Sequence, residues 1–281
     1  MYELRLPRAR SLSLNKPQVM GVLNATPDSF SDGGKFIHLD SAVEQVNMML
    51  ADGATIIDIG GESTRPGAPD VELKEELERV IPIIKAVRAQ SDCVISVDTS
   101  KAEVMKQAIE AGADIINDVR ALQEPGALEI AAQYAEVPIC LMHMQGEPRS
   151  MQNNPKYNDL FSDISQFFEA RIRACKQAGI DTSRLILDPG FGFGKSLEHN
   201  FQILGGLKQF NSFNLPILTG LSRKSMFGQL LTRETHERVA ASLAGALICA
   251  QQGAHIIRVH DVKETSDVLN VWLASVNGVT Q

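Results

Sequence analysis

Val94-Ile95-Ser96-Val97-Asp98 is an apolar run, rich in Ile and Val, that ends on a carboxylate. Seven other stretches share its character: Val19 to Asn24, Ala54 to Gly60, Asp114 to Asn117, Pro138 to His143, Leu185 to Asp188, Pro216 to Gly220 and His255 to His260. They are rich in Ile, Val and Leu without strict alternation, which suits parallel strands buried on both faces. Segments with helical periodicity separate the runs, and each run ends at a polar residue, a glycine or the start of a loop. Strand and helix repeated eight times predict an α/β chain folded as a (β/α)8 TIM barrel. The working face of such a barrel is the rim at the carboxyl ends of its strands.

A length of 281 residues suits one barrel domain, which typically takes about 250 residues. The expected division is an N-terminal extension over residues 1–18 and a catalytic barrel over 19–281. From Tyr2 to Lys16, Leu alternates with polar residues, which predicts a β-hairpin closing the barrel floor. No charged and apolar leader of the secretory type precedes it. The longest charge-free stretch, Val239 to Ile257, is interrupted by Gln251, Gln252 and Gly253. Its apolar part, about a dozen residues, is short of a bilayer, so a buried helix followed by a strand is expected instead of a membrane span. Cys93, Cys140, Cys175 and Cys249 lack metal-ligand spacing and read as reduced thiols of a cytoplasmic protein. A formal net charge of −7 argues against nonspecific nucleic-acid binding, so an anionic substrate has to be met by local cations. Arg65, Arg223, Lys224, Arg258 and His260 follow strand ends and supply them. Acidic runs such as Glu72 to Glu78 read as solvated helix faces.

Ser41 with Glu44 and Ser100 with Glu103 fit the S-x-x-E capping box. If Ser100 caps its helix, Asp98 is released from that duty. Gly53, Gly112, Gly179 and Gly253 stand where a helix stops before a strand. Two connections on the working face are long and polar: Ala25 to Gly34 and Gly61 to Ala68. Such loops commonly serve as lids.

Asp98, Asn117 and Asp188 end the third, fourth and sixth runs, so barrel closure directs two carboxylates and an amide toward one cavity. That acceptor-rich set suits a flat heterocycle with a guanidine-like N–H edge, since a carboxylate accepts two parallel bonds. Turn or cap duty is the competing reading for each residue singly, as Asp188-Pro189-Gly190 illustrates. A divalent-metal site is a rival for the set, weakened by the amide and by the lack of a third carboxylate nearby. Gly190-Phe191-Gly192-Phe193-Gly194-Lys195-Ser196 is not a P-loop, because Pro189 stands where that motif requires glycine. It reads as a flexible loop bringing Phe193 to a ligand ring. Lys224 follows the seventh run, where it would act as a charged donor or as a Schiff-base nucleophile. The carboxylates nearby favour the donor. Arg258 and His260 share one face of the eighth run and suit a pyrophosphate. Asn24 offers a neutral oxygen of the kind Mg²⁺ takes alongside substrate phosphates and water. His143 reads as a satisfied core histidine.

Taken in order, Asn24 to Gly34, Gly60 to Gly67, Val97 to Ser100, Asn117-Asp118, Asp188 to Lys195, Ser222 to Ser225 and Arg258 to Asp261 closely resemble the bacterial dihydropteroate synthases. The similarity runs from about Val19 to about Glu264, with Ala25 standing where Val is expected. The resemblance implies transfer of a dihydropterin-methyl group from its diphosphate to p-aminobenzoate, releasing pyrophosphate, with Mg²⁺ as cofactor. It also implies that Asp98, Asn117, Asp188 and Lys224 hold the pterin. Asn24, Arg258 and His260 would take the pyrophosphate and Mg²⁺, with Thr64 and Arg65 also reaching the substrate. Phe30, Pro66, Phe193, Lys224 and Ser225 would shape the p-aminobenzoate slot, which sulfonamides occupy in this family; Thr64 and Arg65 border it. Members are usually homodimers. Three rivals remain at this point: a silent pterin-binding paralogue, a pterin-dependent methyltransferase, and a Schiff-base aldolase acting through Lys224.

Overall fold

A computed structural model describes residues 2–25, 35–63, 70–146, 151 and 155–278. Ten strands are present among them: β1 (Glu3–Leu6), β2 (Arg10–Ser13), β3 (Gln18–Asn24), β4 (Ile56–Gly60), β5 (Val94–Asp98), β6 (Ile115–Asp118), β7 (Ile139–Met142), β8 (Leu185–Asp188), β9 (Leu218–Thr219) and β10 (Ile256–Val259). The helices are α1 (Lys35–Ala51), α2 (Leu73–Gln90), α3 (Ala102–Ala111), α4 (Ala127–Gln133), α5 (Leu160–Gln177), α6 (Leu197–Gly206), α7 (Ser225–Leu231), α8 (Val239–Gln251) and α9 (Val262–Asn277). Strands β3 to β10 form one parallel sheet in the order β8-β7-β6-β5-β4-β3-β10-β9. A parallel bridge between Leu187 and Ile217 joins the two ends and closes the sheet into a (β/α)8 barrel. None of the described helices is long and apolar enough to cross a membrane.

The period of two along a strand explains how the barrel is filled. Met20, Ile56, Val94, Ile115, Cys140, Ile186, Leu218 and Ile256, one from each barrel strand, form an apolar cluster with Leu4, Leu6 and Leu14. The intervening residues, among them Leu23, Ile57, Ile95, Ile116, Ile139 and Leu187, belong to the larger core shared with the helices. Two residues onward from the apolar layer stand Asp58, Ser96, Asn117, Asp188 and Arg258. The barrel interior is therefore hydrocarbon at the amino end and ionic toward the carboxyl end.

β1 and β2 pair antiparallel as the expected hairpin, and its leucines lie against the apolar layer. Arg8 and Ala9, at its turn, take φ of 63° and 55°. Three guanidinium groups, from Arg8, Arg10 and Arg88, meet the fully buried carboxylate of Asp114. The hairpin is thereby tied to the loop that starts β6.

Gly53, Gly112, Gly179 and Gly253 all have positive φ, in keeping with their place at helix ends. The two capping boxes do not form. α1 begins at Lys35, so Ser41 lies within the helix. α3 has Lys101 at its N-cap, while the Ser100 hydroxyl donates to Asp118 instead. The hydroxyl is turned to donate to that buried carboxylate, and the helix starts one residue later than the box requires.

Candidate active site

A cavity of about 380 Å³ opens at the carboxyl ends of the strands, lined by Asn24, Asp98, Phe193, Lys224, Ser225, Arg258 and His260 among others. The strand-borne part of that lining follows from the alternation that fills the barrel, while Phe193, Lys224 and Ser225 come from the segments after β8 and β9. Asn24, Asp98 and His260 stand four residues beyond Met20, Val94 and Ile256, and so one layer above Asp58 and Arg258.

The Arg258 guanidinium spans the barrel, with Nε donating to Asp58 at 2.6 Å and Nη2 to Asp98 at 2.8 Å. Asn117 donates its amide to the same Asp58 oxygen at 3.1 Å. The other Asp58 oxygen is buried without a hydrogen-bond partner among the described residues. Burial raises the Asp98 carboxyl above its ordinary value, and Arg258 opposes the rise. The two carboxylates in turn strengthen the proton affinity of Arg258 against the effect of burial. Opposite charges about 3 Å apart in a low dielectric hold one another firmly.

Across the cavity, Asp188 accepts from the Gly190 amide at 2.7 Å. Burial pushes its carboxyl up to about 6, against the pull of that bond and of Lys224. Asp188 thus serves a turn and remains within electrostatic reach of Lys224. The Lys224 ammonium stands 4.2 Å from the centre of the Phe193 ring, a cation–π contact. Burial lowers it to about 8, with Asp188 resisting. Lys224 therefore keeps much of its charge at neutral pH.

Three features depart from the reading of strand ends. Arg223 lies at φ 57° and its guanidinium is held by Asp261, so its side chain is a brace for the turn that presents Lys224. The loop after β8 is fixed by contact. A Cβ on Gly190 would meet the His143 carbonyl at 2.0 Å, and one on Gly194 the Gln145 carbonyl at 2.3 Å, both at positive φ. These glycines are needed for close approach, which replaces the expectation of a flexible loop. Asp98 and Asn117, finally, are engaged within the protein by Arg258 and Asp58.

Sequence reasoning missed Asp58, Lys195 and Arg238. Asp58 interrupts Ile56-Ile57-Asp58-Ile59, and a charge inside an apolar strand is costly unless paired; that signal was present in the chain. Lys195 is 2% exposed and sits beside His143, confirming His143 as a satisfied core residue. Arg238 lines the cavity and donates to the Arg223 carbonyl at 3.1 Å, with no local sequence signal. Phe30, Thr64, Arg65 and Pro66 lie outside the described residues. The base of the loop after β4 is described, and there Lys101 donates to Glu62 at 2.5 Å and also to the buried Glu76.

A family described as "Pterin binding enzyme" matches residues 20–260. Dihydropteroate synthase of Escherichia coli K12 is 56% identical over 267 residues, covering 95% of this chain and 94% of that protein. The Haemophilus influenzae dihydropteroate synthase is 56% identical over 268 residues, covering 95% and 97%. Among solved structures, a Yersinia pestis dihydropteroate synthase in complex with a sulfonamide drug superposes with a TM-score of 0.93 at 54% identity, covering 98% of this chain and 99% of that one. The Xanthomonas albilineans enzyme with 4-aminobenzoic acid gives 0.91 at 48% identity, covering 99% and 100%. The chain belongs to the pterin-binding enzymes, within their dihydropteroate synthase branch.

Proposed function

We propose that this enzyme transfers the (7,8-dihydropterin-6-yl)methyl group from its diphosphate to the amine of p-aminobenzoate, giving 7,8-dihydropteroate and pyrophosphate for folate synthesis. One observation carries the assignment of roles: Asp98, Arg258, Lys224, His260 and Asn24, from four separate strand ends, line one cavity. The pterin amide and amine N–H groups would face Asp98, Asn117 and Asp188, with Lys224 donating to the ring. Each charged hydrogen bond contributes about 1.5–3 kcal/mol. The diphosphate would lie toward Arg258 and His260, where each well-placed donor to the departing oxygens contributes about 3–4 kcal/mol. p-Aminobenzoate would lie along Phe193 and Ser225, with Phe30, Thr64, Arg65 and Pro66 completing the slot. Sulfonamides would compete there.

Mg²⁺ fits the donor chemistry at the diphosphate end. Among the described residues no cluster of three His, Cys, Asp or Glu could hold a metal alone. Asn24 provides a side-chain oxygen on the cavity wall, and Mg²⁺ commonly takes one or two protein oxygens and completes its shell with phosphate and water. When bound, it would neutralise charge on the leaving diphosphate.

The bond from the pterin methylene to the diphosphate oxygen breaks, a bond from the aniline nitrogen to the same carbon forms, and that nitrogen then loses a proton. The electron-rich dihydropterin stabilises positive charge at the methylene, which supports a dissociative, S_N1-like order of events. The protein's share is to neutralise the leaving group and keep water from the carbon. Release of pyrophosphate on mixing pterin diphosphate, p-aminobenzoate and Mg²⁺ tests the activity, and its absence refutes it. A secondary deuterium isotope effect clearly above unity at the methylene is expected; a value near unity means direct displacement.

Two further parts of this reading concern assembly and compartment. A homodimer agrees with the exposed Leu230 and Leu231 on α7, and sedimentation at micromolar concentration tests it. A cytoplasmic setting agrees with four free thiols.

A further inference from the structure

Lys195 is a buried cation whose hydrogen bonds all go to neutral acceptors. Its Nζ lies 2.9 Å from His143 Nδ1, and it donates to the Phe193 carbonyl at 3.0 Å and the His143 carbonyl at 3.3 Å. Three ammonium protons thus match three acceptors. An ammonium partner requires His143 to be neutral, with Nδ1 accepting. Burial and Lys195 together push the imidazole down to about 2, consistent with that state. His143 is itself fixed by an edge-on contact with Phe167 at 5.0 Å between ring centres.

The contacts make a chain of support that ends in the cavity. The His143 carbonyl that receives Lys195 is the one pressed against Gly190, so the lysine fastens the loop after β8 to the end of β7. The Phe193 carbonyl is held from below, while its ring lies under the Lys224 ammonium. Burial lowers the Lys195 ammonium to about 7, with Asp188 resisting; a buried cation is expensive to keep, and its hydrogen bonds go to these carbonyls and the imidazole.

We propose that Lys195 is a positioning residue: it fixes the Phe193 backbone against β7 and so holds the Phe193 ring as a rigid wall beneath Lys224. Its consequence for p-aminobenzoate rests on Phe193 lining the arylamine slot, as proposed above. Lys195 touches no substrate in this scheme and acts only through Phe193.

The test places 4-fluorophenylalanine at position 193 in the full-length protein and compares Lys195→Met with the parent. One narrow ¹⁹F line is expected in the parent and a shifted or broadened line in the variant. An unchanged line overturns the inference whatever the kinetics show. In the unlabelled protein, Lys195→Met is expected to raise KM for p-aminobenzoate about five- to ten-fold and to change KM for pterin diphosphate less than about two-fold. If the line moves while KM for p-aminobenzoate does not, the positioning role stands and the arylamine-slot reading fails. His143→Leu supplies a second test should Lys195→Met not fold. It removes one acceptor and is expected to move the line, whereas His143→Asn, which retains an acceptor near Nδ1, is expected to restore it. An unmoved line in His143→Leu also overturns the inference.

Discussion

At the scale of single residues, charge and burial decide what each group does. Asp98→Ala removes an acceptor from the proposed pterin site and leaves Arg258 with Asp58 as its carboxylate partner. Calorimetry is expected to show pterin diphosphate binding weakened by about 2–3 kcal/mol, 30- to 150-fold; unchanged affinity would remove Asp98 from the site. The pH profile follows from groups shifted by burial; Asp98 is raised as well, so it shares the acid limb with Asp188. Asp188 stands at about 6 and must be ionised to accept, so activity falls as pH drops through that value. Lys224 stands at about 8 and must be protonated to donate, so activity falls as pH rises through that value. A bell-shaped kcat/KM is expected with its maximum between them, and Lys224→Met should abolish the alkaline limb.

The residues legible in the chain were those at strand ends, and the residues missed show why. Asp98, Asn117 and Asp188 follow apolar runs and announce themselves. Asp58 lies two residues before its strand ends, and its inward direction becomes apparent only when it is set in register with Ser96 on the neighbouring strand. Lys195 looks like a surface lysine after a glycine-rich turn, because its burial depends on that turn folding back onto His143. Ser100 carried a valid capping signal, but its hydroxyl is oriented by Asp118, a residue distant in sequence, and the cap position falls to Lys101.

Elements show the same division between local and distant causes. Apolar composition sufficed to locate every barrel strand within a few residues. It overestimated the seventh, Pro216 to Gly220, whose regular pairing is confined to Leu218–Thr219. The loop between β8 and α6 is the element where geometry is most demanding. Gly190 has φ 68° and no room for a side chain. Gly190→Ala combines left-handed strain with collision against a backbone carbonyl, at a cost of about 2–4 kcal/mol. Differential scanning calorimetry should show a lower Tm, and an unchanged Tm would mean that the loop has a second accessible path.

For the whole molecule, the amino end is closed by packing and ion pairs, and the carboxyl end carries the proposed site. The floor is sealed by the hairpin leucines and by Asp114 with its three arginines. Asp114→Ala strands those cations on a partly buried surface and is expected to cost about 3 kcal/mol. Urea titration measures this, and a loss below about 1 kcal/mol would show the cluster to be dispensable. Turnover of the folded variant should stay close to that of the parent, because the cluster lies at the opposite end of the barrel from Lys224 and Arg258.

The barrel's seam is its thinnest join, a single bridge between Leu187 and Ile217 beside a strand of two residues. Asp188 follows one side of that seam and Lys224 comes shortly after the other. A substrate grasped by both would act as a suture, and the enzyme would be most tightly stitched when its cavity is full.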